Sequence, residues 1–278
     1  MFYLNTTFIG IDPTAGGRPL TYAALDDELN LLSLGRGDLE DVLAFVAGQR
    51  AALLAVCSPR RPNQGLMERP DVRARLSPQP RPGRWLGFRL AEYQLRQHHI
   101  TVPRTPAVDS ECPAWMRRGF ALYRRLEGLD FRPYPDPELA TPPVASDPGS
   151  SAGSTSPVIP QPVRKYLEVY PHGCFTVLLE RPPLPKTSLE GRLQRQLILY
   201  ESRLNISDPM QFFEEITRFR LLHGTLPFDS LYSPGELDAL VAAYTAWMAG
   251  TKPNQTTLLG DPEEGWLVLP VTDLKDRY

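Results

Sequence analysis

Phe8-Ile9-Gly10-Ile11-Asp12-Pro13-Thr14 reads as an apolar run that ends on a carboxylate and is then stopped by a proline. The run has the texture of a buried strand, and Pro13 marks a turn. A carboxylate at such a place is costly unless it neutralises, finds a partner or binds a cation. Both the fold and the function therefore turn on whether Asp12 has company elsewhere in the chain.

Working outward, residues 20–26 (LTYAALD) and 29–37 (LNLLSLGRG) read as two further strands, with Gly16-Gly17 and Asp26-Asp27 as turn signals. Asp38 is placed to cap a helix over DLEDVLAFVAGQ, in which Leu39, Val42, Leu43 and Val46 recur at helical spacing before Gly48. Residues 51–56 (AALLAV) form a short unbroken apolar run, the mark of a strand buried on both faces. Three strands joined by turns, a helix, and a buried strand beside the first make a mixed α/β sheet.

The texture changes at about residue 58. Residues 84–99 (RWLGFRLAEYQLRQHH) and 113–129 (PAWMRRGFALYRRLEGL) are amphipathic and arginine-rich, so residues 60–135 read as a basic helical insertion. Between Arg50 and Arg125 there are fifteen arginines against five acids, a surplus of +10 in a chain whose net charge is -2, which leaves -12 for the rest. That split suits a surface that meets phosphates, and suits equally a basic lid that neutralises an acidic body within the molecule. Residues 136–162 are rich in Pro, Ser, Ala and Gly with few large apolar groups and read as a flexible linker loop. Order resumes with KYLEVYPHGCFTVLLE at 165–180, a strand running into a short helix. Helices are then expected near 189–204 and 209–221, and over SPGELDALVAAYTAWMAG at 233–250, with Ser233 as N-cap, Pro234 next and Gly250 past the end. Residues 265–271 (GWLVLPV) read as a terminal strand.

Three acids occupy odd places: Asp12 after the first strand, Glu168 between Leu167 and Val169, and Asp238 in the first turns of the last strong helix. Ala242, Thr245 and Ala249 follow Asp238 along one side, and such small residues would let the helix press close to the sheet. Converging, the three would hold Mg²⁺ or Mn²⁺, since hard cations take carboxylate oxygens and water, and a pair of ions can clamp a phosphodiester. Each acid also has a plainer reading. Asp12 can cap the turn before Thr14, Glu168 can pair with an arginine of the insertion, and Asp238 can answer the helix dipole. His172, just after the Glu168 strand, is a candidate proton shuttle or phosphate ligand. Arg60, Arg61, Arg89, Arg96, Arg117 and Arg118 are the candidate phosphate-facing arginines, with Trp85, Tyr93 and Trp115 interleaved as stacking surfaces or as core. Gly16-Gly17 could offer backbone N–H groups to a phosphate. No P-loop, dinucleotide fingerprint or nucleophile elbow is present. No apolar run approaches the roughly 18–20 residues of a membrane span, and the N-terminus lacks the pattern of a signal peptide. Three widely spaced cysteines fit a reducing cytoplasm.

FIGIDPTAGGRP, LLAVCSPRRPNQGLM, EYQLRQHHITVPRTP, LEVYPHGCF and ELDALVAAYTA, in that order, resemble the DUF429 family of predicted nucleases, assigned to the ribonuclease H-like fold. The resemblance spans nearly the whole chain, so residues 1–278 are expected as one such domain. It implies a mixed five-stranded sheet flanked by helices, with Asp12, Glu168 and Asp238 at the family's acidic positions. It further implies metal-dependent phosphodiester hydrolysis on nucleic acid. One departure is Cys57, where the family usually has an Asp that shares a metal with the first-strand Asp. A thiol is a poor ligand for hard cations. Three readings of Cys57 stand: a chain that no longer cuts and only binds nucleic acid or a partner, a site working on the remaining acids, or a reactive or soft-metal-binding thiol.

Overall fold

A computed structural model describes residues 6–14, 18–81, 83–135 and 163–278. The expected linker 136–162 and the Gly16-Gly17 turn lie outside the described residues. The opening stretch forms β1 (Thr7–Asp12), which pairs antiparallel with β2 (Leu20–Leu25), and β2 pairs antiparallel with β3 (Leu31–Gly37). Asp38 caps α1 (Leu39–Ala47) in a reciprocal box with Asp41. β4 (Ala52–Val56) is buried throughout and lies parallel to β1, Ile11 opposite Val56.

The arginine-rich segment supplies α2 (Pro70–Ala74), α3 (Leu90–Gln97), α4 (Ala114–Gly128) and the two-residue β5 (Arg132–Pro133). The helix expected over 84–99 begins only at Leu90, because Trp85 adopts a positive φ of 73° that no right-handed helix contains. β6 (Arg164–Glu168) lies parallel to β4 and leads into α5 (Pro171–Leu179) and α6 (Leu189–Glu201). The single helix expected near 209–221 is two short ones, α7 (Gln211–Glu215) and α8 (Arg218–Leu222), with Ile216 extended and Thr217 capping the second. α9 (Pro234–Thr251) starts at Ser233 as expected and runs one residue past Gly250. β7 (Thr257–Asp261) and β8 (Gly265–Leu269) close the sheet as a hairpin.

Among the described residues the sheet is mixed and eight-stranded, in the order β3-β2-β1-β4-β6-β8-β7, with β5 beside β6. It exceeds the five strands implied by the family resemblance because β5 and the β7–β8 hairpin extend it. Its two faces follow the two-residue alternation of strands. Phe8, Leu53, Ala55, Leu167 and Val169 point to the face covered by α9 and α5, whereas Ile9, Ile11, Leu54, Val56 and Tyr166 meet α1 and α4. The segment at 60–135 thus contributes α4 to the core of the sheet. Each fully buried leucine such as Leu53 or Leu54 contributes about 1.5–3 kcal/mol.

α9 is buried from Leu237 to Gly250, as a helix apolar on all sides must be. It rests directly on β1. A Cβ added to Gly10 would stand 1.9 Å from the Ala239 carbonyl oxygen and 2.4 Å from the Ala243 nitrogen, so only glycine permits this approach. Among the described residues no helix is long and apolar enough to cross a membrane.

Candidate functional site

The close seat of α9 on β1 decides where the acids go. Asp12 ends β1 on the α9 face, two residues beyond Gly10, and Asp238 precedes the very alanine that touches Gly10. Both line a cavity of about 570 Å³ at the carboxyl ends of β1 and β4, with Cys57, Tyr170, His172, Lys186 and Arg18 around it. The crevice beyond the carboxyl ends of parallel strands is the usual ligand position in an open α/β sheet.

Asp12 Oδ1 accepts a hydrogen bond from the Thr14 N–H at 3.2 Å, so the turn-capping reading holds as well. Its carboxyl is pushed up from 3.8 to about 6 by burial and then by Asp238, with Thr14 and Lys186 opposing. Asp238 is itself raised, mainly by burial, and is held by the Lys186 ammonium, whose Nζ donates to Oδ2 at 3.0 Å. That contact raises Lys186 in turn. His172, in the first turn of α5, is lowered by burial and by Arg195 and Lys186, so its imidazole is neutral at pH 7. Cys57 is buried, donates weakly to the Asp238 carbonyl at 3.6 Å, and is raised by burial and by both aspartates, which keeps it a thiol. Such a thiol is a poor nucleophile.

Glu168 does not join them. It has the parity of Tyr166 rather than of Leu167 and Val169, so its side chain leaves the sheet on the opposite side from Asp12. There the Arg89 guanidinium donates to both carboxylate oxygens at 2.9 Å, with both side chains almost wholly buried. The Arg60 N–H donates to the same carboxylate, and Arg89 also reaches the Glu264 carbonyl. This corrects the expected three-acid cluster: Glu168 is tied off by an arginine of the insertion, and Arg89 is an internal counter-ion with no access to a phosphate. Among the described residues no group of three or more His, Cys, Asp or Glu side chains is placed to hold a metal ion.

Arg60, Arg96 and Arg118 also have internal partners. Arg60 pairs with Glu127 at 2.8 Å, Arg96 donates to the Val102 carbonyl at 3.0 Å, and Arg118 donates to the carbonyls of Thr14 and Arg18. Arg61 is half-buried, with its charge acting on Glu127 and Glu263, and Arg117 is exposed. Arg69–Glu263 and Arg125–Glu40 add two surface pairs. Much of the basic surplus is thus spent on the molecule's own acids and carbonyls. Trp85 and Tyr93 pack on each other at 5.8 Å in a small core, while Trp115 reaches the cavity wall.

Lys186 escaped the sequence reading. One signal was available: it is one of only four lysines in a chain that otherwise uses arginine. Its placement depends on a clamp that no local pattern announces. Arg195 donates to the Leu184 carbonyl at 2.7 Å, Gln194 accepts from the Leu184 N–H at 2.8 Å, and Ser188 donates to the Pro185 carbonyl at 2.9 Å.

A two-carboxylate set fits one hard divalent cation, which commonly takes one or two carboxylates and completes its shell with water and phosphate oxygens. The observation in favour is the raising of Asp12 to about 6 by burial and then by the charge of Asp238, which a cation would offset. The set does not fit a two-ion centre, because the third acid faces away.

The fold and cavity define a mixed α/β protein with a pocket at its strand ends that holds two carboxylates among cationic side chains. Residues 154–264 match the family model DUF429, described as a protein of unknown function, and this supports the DUF429 family for the chain. The matched segment carries Glu168, His172, Lys186 and Asp238, whereas Asp12 and Cys57 lie before it. No curated protein and no solved structure matches the chain.

Proposed function

We propose that the Asp12–Asp238 pocket hydrolyses phosphate diesters with one bound Mg²⁺ or Mn²⁺, on a ribonuclease H-like scaffold. The observation that carries the reading is the meeting of a half-buried and a buried carboxylate, Asp12 and Asp238, in an open cavity at the strand ends, with cationic side chains beside them. In this reading β3-β2-β1-β4-β6 would be the five strands of that scaffold, within a sheet that β5 and the β7–β8 hairpin enlarge. Asp12 and Asp238 would hold the ion, which when bound lowers the pKa of water and neutralises charge on phosphate oxygens. Lys186 and Arg18 bind and orient those oxygens. His172, neutral at pH 7, accepts a proton and passes it to solvent.

The test is hydrolysis of bis(p-nitrophenyl) phosphate and of single-stranded DNA and RNA with Mg²⁺ or Mn²⁺. We expect cleavage by the native chain and loss of at least about a hundredfold in Asp12→Asn and Asp238→Asn, within the range seen when a main catalytic group is removed. Cleavage that survives both substitutions refutes the reading. A second reading, a non-cutting nucleic-acid or partner-binding protein, is favoured by the neutral Cys57 thiol at the family's usual Asp position. It predicts no hydrolysis, together with nucleic-acid binding that weakens steeply with salt.

A further inference from the structure

Asp238 is buried, and a buried carboxylate without a counter-charge is strongly unfavourable. Its present partner, the Lys186 ammonium, is of another kind: the lysine side chain is 56% exposed against 10% for the aspartate. The charge of Lys186 also bears on Asp12 and Cys57, and it is the cation in hydrogen-bond contact with Asp238, while Arg195 acts on that carboxylate through its charge. The backbone that carries it is fixed. A Cβ added to Gly191 would stand 1.9 Å from the Pro185 carbonyl oxygen, so the loop ahead of α6 lies directly on that helix and is pinned there through Arg195, Gln194 and Ser188. From this fixed base the lysine extends a four-carbon stem whose head can move without the loop moving.

A divalent cation and an ammonium cannot both sit against Asp238 without repelling each other. We infer that Lys186 is a built-in counter-ion that a divalent cation displaces from the aspartate pair, and that the displaced ammonium becomes a ligand for the phosphate of the substrate. Metal and phosphate then bind better together than either binds alone, because the anion takes up the charge the metal has expelled. This rests on the phosphoester reading of the pocket and adds an order to it. The resting pocket is kept neutralised by the chain itself, and the ion is held more tightly with substrate present than without it.

The test is calorimetric titration of the full chain with Mn²⁺, alone and with thymidine 5′-monophosphate, for the native protein, Lys186→Met, Lys186→Gln and Asp12→Asn. The Gln variant keeps a donor for Asp238 without the charge, and circular dichroism checks the fold of each. Removing the competing charge should tighten Mn²⁺ binding roughly tenfold in both Lys186 variants, the scale of a partly exposed ion pair. The monophosphate should tighten Mn²⁺ binding in the native protein and have no such effect in the variants. Equal Mn²⁺ affinity in native and variant chains, or an undiminished effect of the monophosphate, overturns the role of Lys186. If Mn²⁺ binding is then still lost in Asp12→Asn, the metal reading of the pocket stands without it. Failure of the native chain and the Lys186 variants to bind Mn²⁺ removes both.

Discussion

Replacing Asp12 by Asn should make the protein more stable at neutral pH and, on the proposed function, should abolish binding of a divalent cation. The folded chain pushes this carboxyl from 3.8 to about 6, through burial and the neighbouring Asp238. The folded state therefore binds this proton more tightly than the unfolded state does, and ionisation works against folding. The cost is absent below about pH 4, grows between pH 4 and 6, and is complete above that. In full the shift corresponds to about 3 kcal/mol, and because the carboxylate edge meets the cavity we expect about 1–2 kcal/mol at pH 8. Asparagine keeps an oxygen for the Thr14 N–H and carries no charge. Urea unfolding of both proteins at several pH values between 4 and 8, in EDTA, measures the difference. The variant should exceed the native chain at pH 8 and converge with it toward pH 4, and Mn²⁺ should stabilise only the native chain. A variant that is less stable at pH 8, or an excess that ignores pH, would refute the argument that crowding of charge governs this pocket.

Glu168→Gln should behave oppositely, leaving Arg89 buried against a neutral amide, and lower stability by about 3–5 kcal/mol in the same assay. Cys57→Asp places a third carboxylate in the pocket. It should tighten Mn²⁺ binding in calorimetry and weaken the metal-free protein, whereas unchanged affinity would mean that residue 57 does not face the ion. Gly10→Ala drives a methyl group into the backbone of α9 and should cost about 3 kcal/mol or more, read as a lowered melting temperature.

Much of the frame was legible because its signals are local. Pro13 after an apolar run, the Asp38 cap, and the Ser233-Pro234 start of α9 each act within one turn of chain, and each element begins where its residues say. The inward placement of Asp238 was also legible, from the small residues that follow it. Glu168 shows where this ends. Residues 166–169 are buried on both faces of the sheet, so no alternation of polar and apolar residues tells which way the glutamate points. Its partner, Arg89, sits 79 positions away and looks like any other arginine of a basic helix. Lys186 is placed by the clamp on α6, a tertiary matter. Residues 84–88 carry helical spacing, yet Trp85 turns away to pack on Phe88 and Tyr93, so packing overrode local preference.

The bare Gly10 has a mechanical corollary. Where two main chains touch with nothing between them, their spacing is dictated by the van der Waals radii of backbone atoms and cannot be relaxed by a rotamer change. Gly10 and Ala239 act as such a stop, and the aspartates stand two residues and one residue from it on either element. The gap between Asp12 and Asp238 is accordingly gauged by the skeleton of the protein, while the proline-rich rim at residues 182–186 remains open to variation. Sequences that keep the glycine can alter what enters the cavity and still hold the two carboxylates at the same separation.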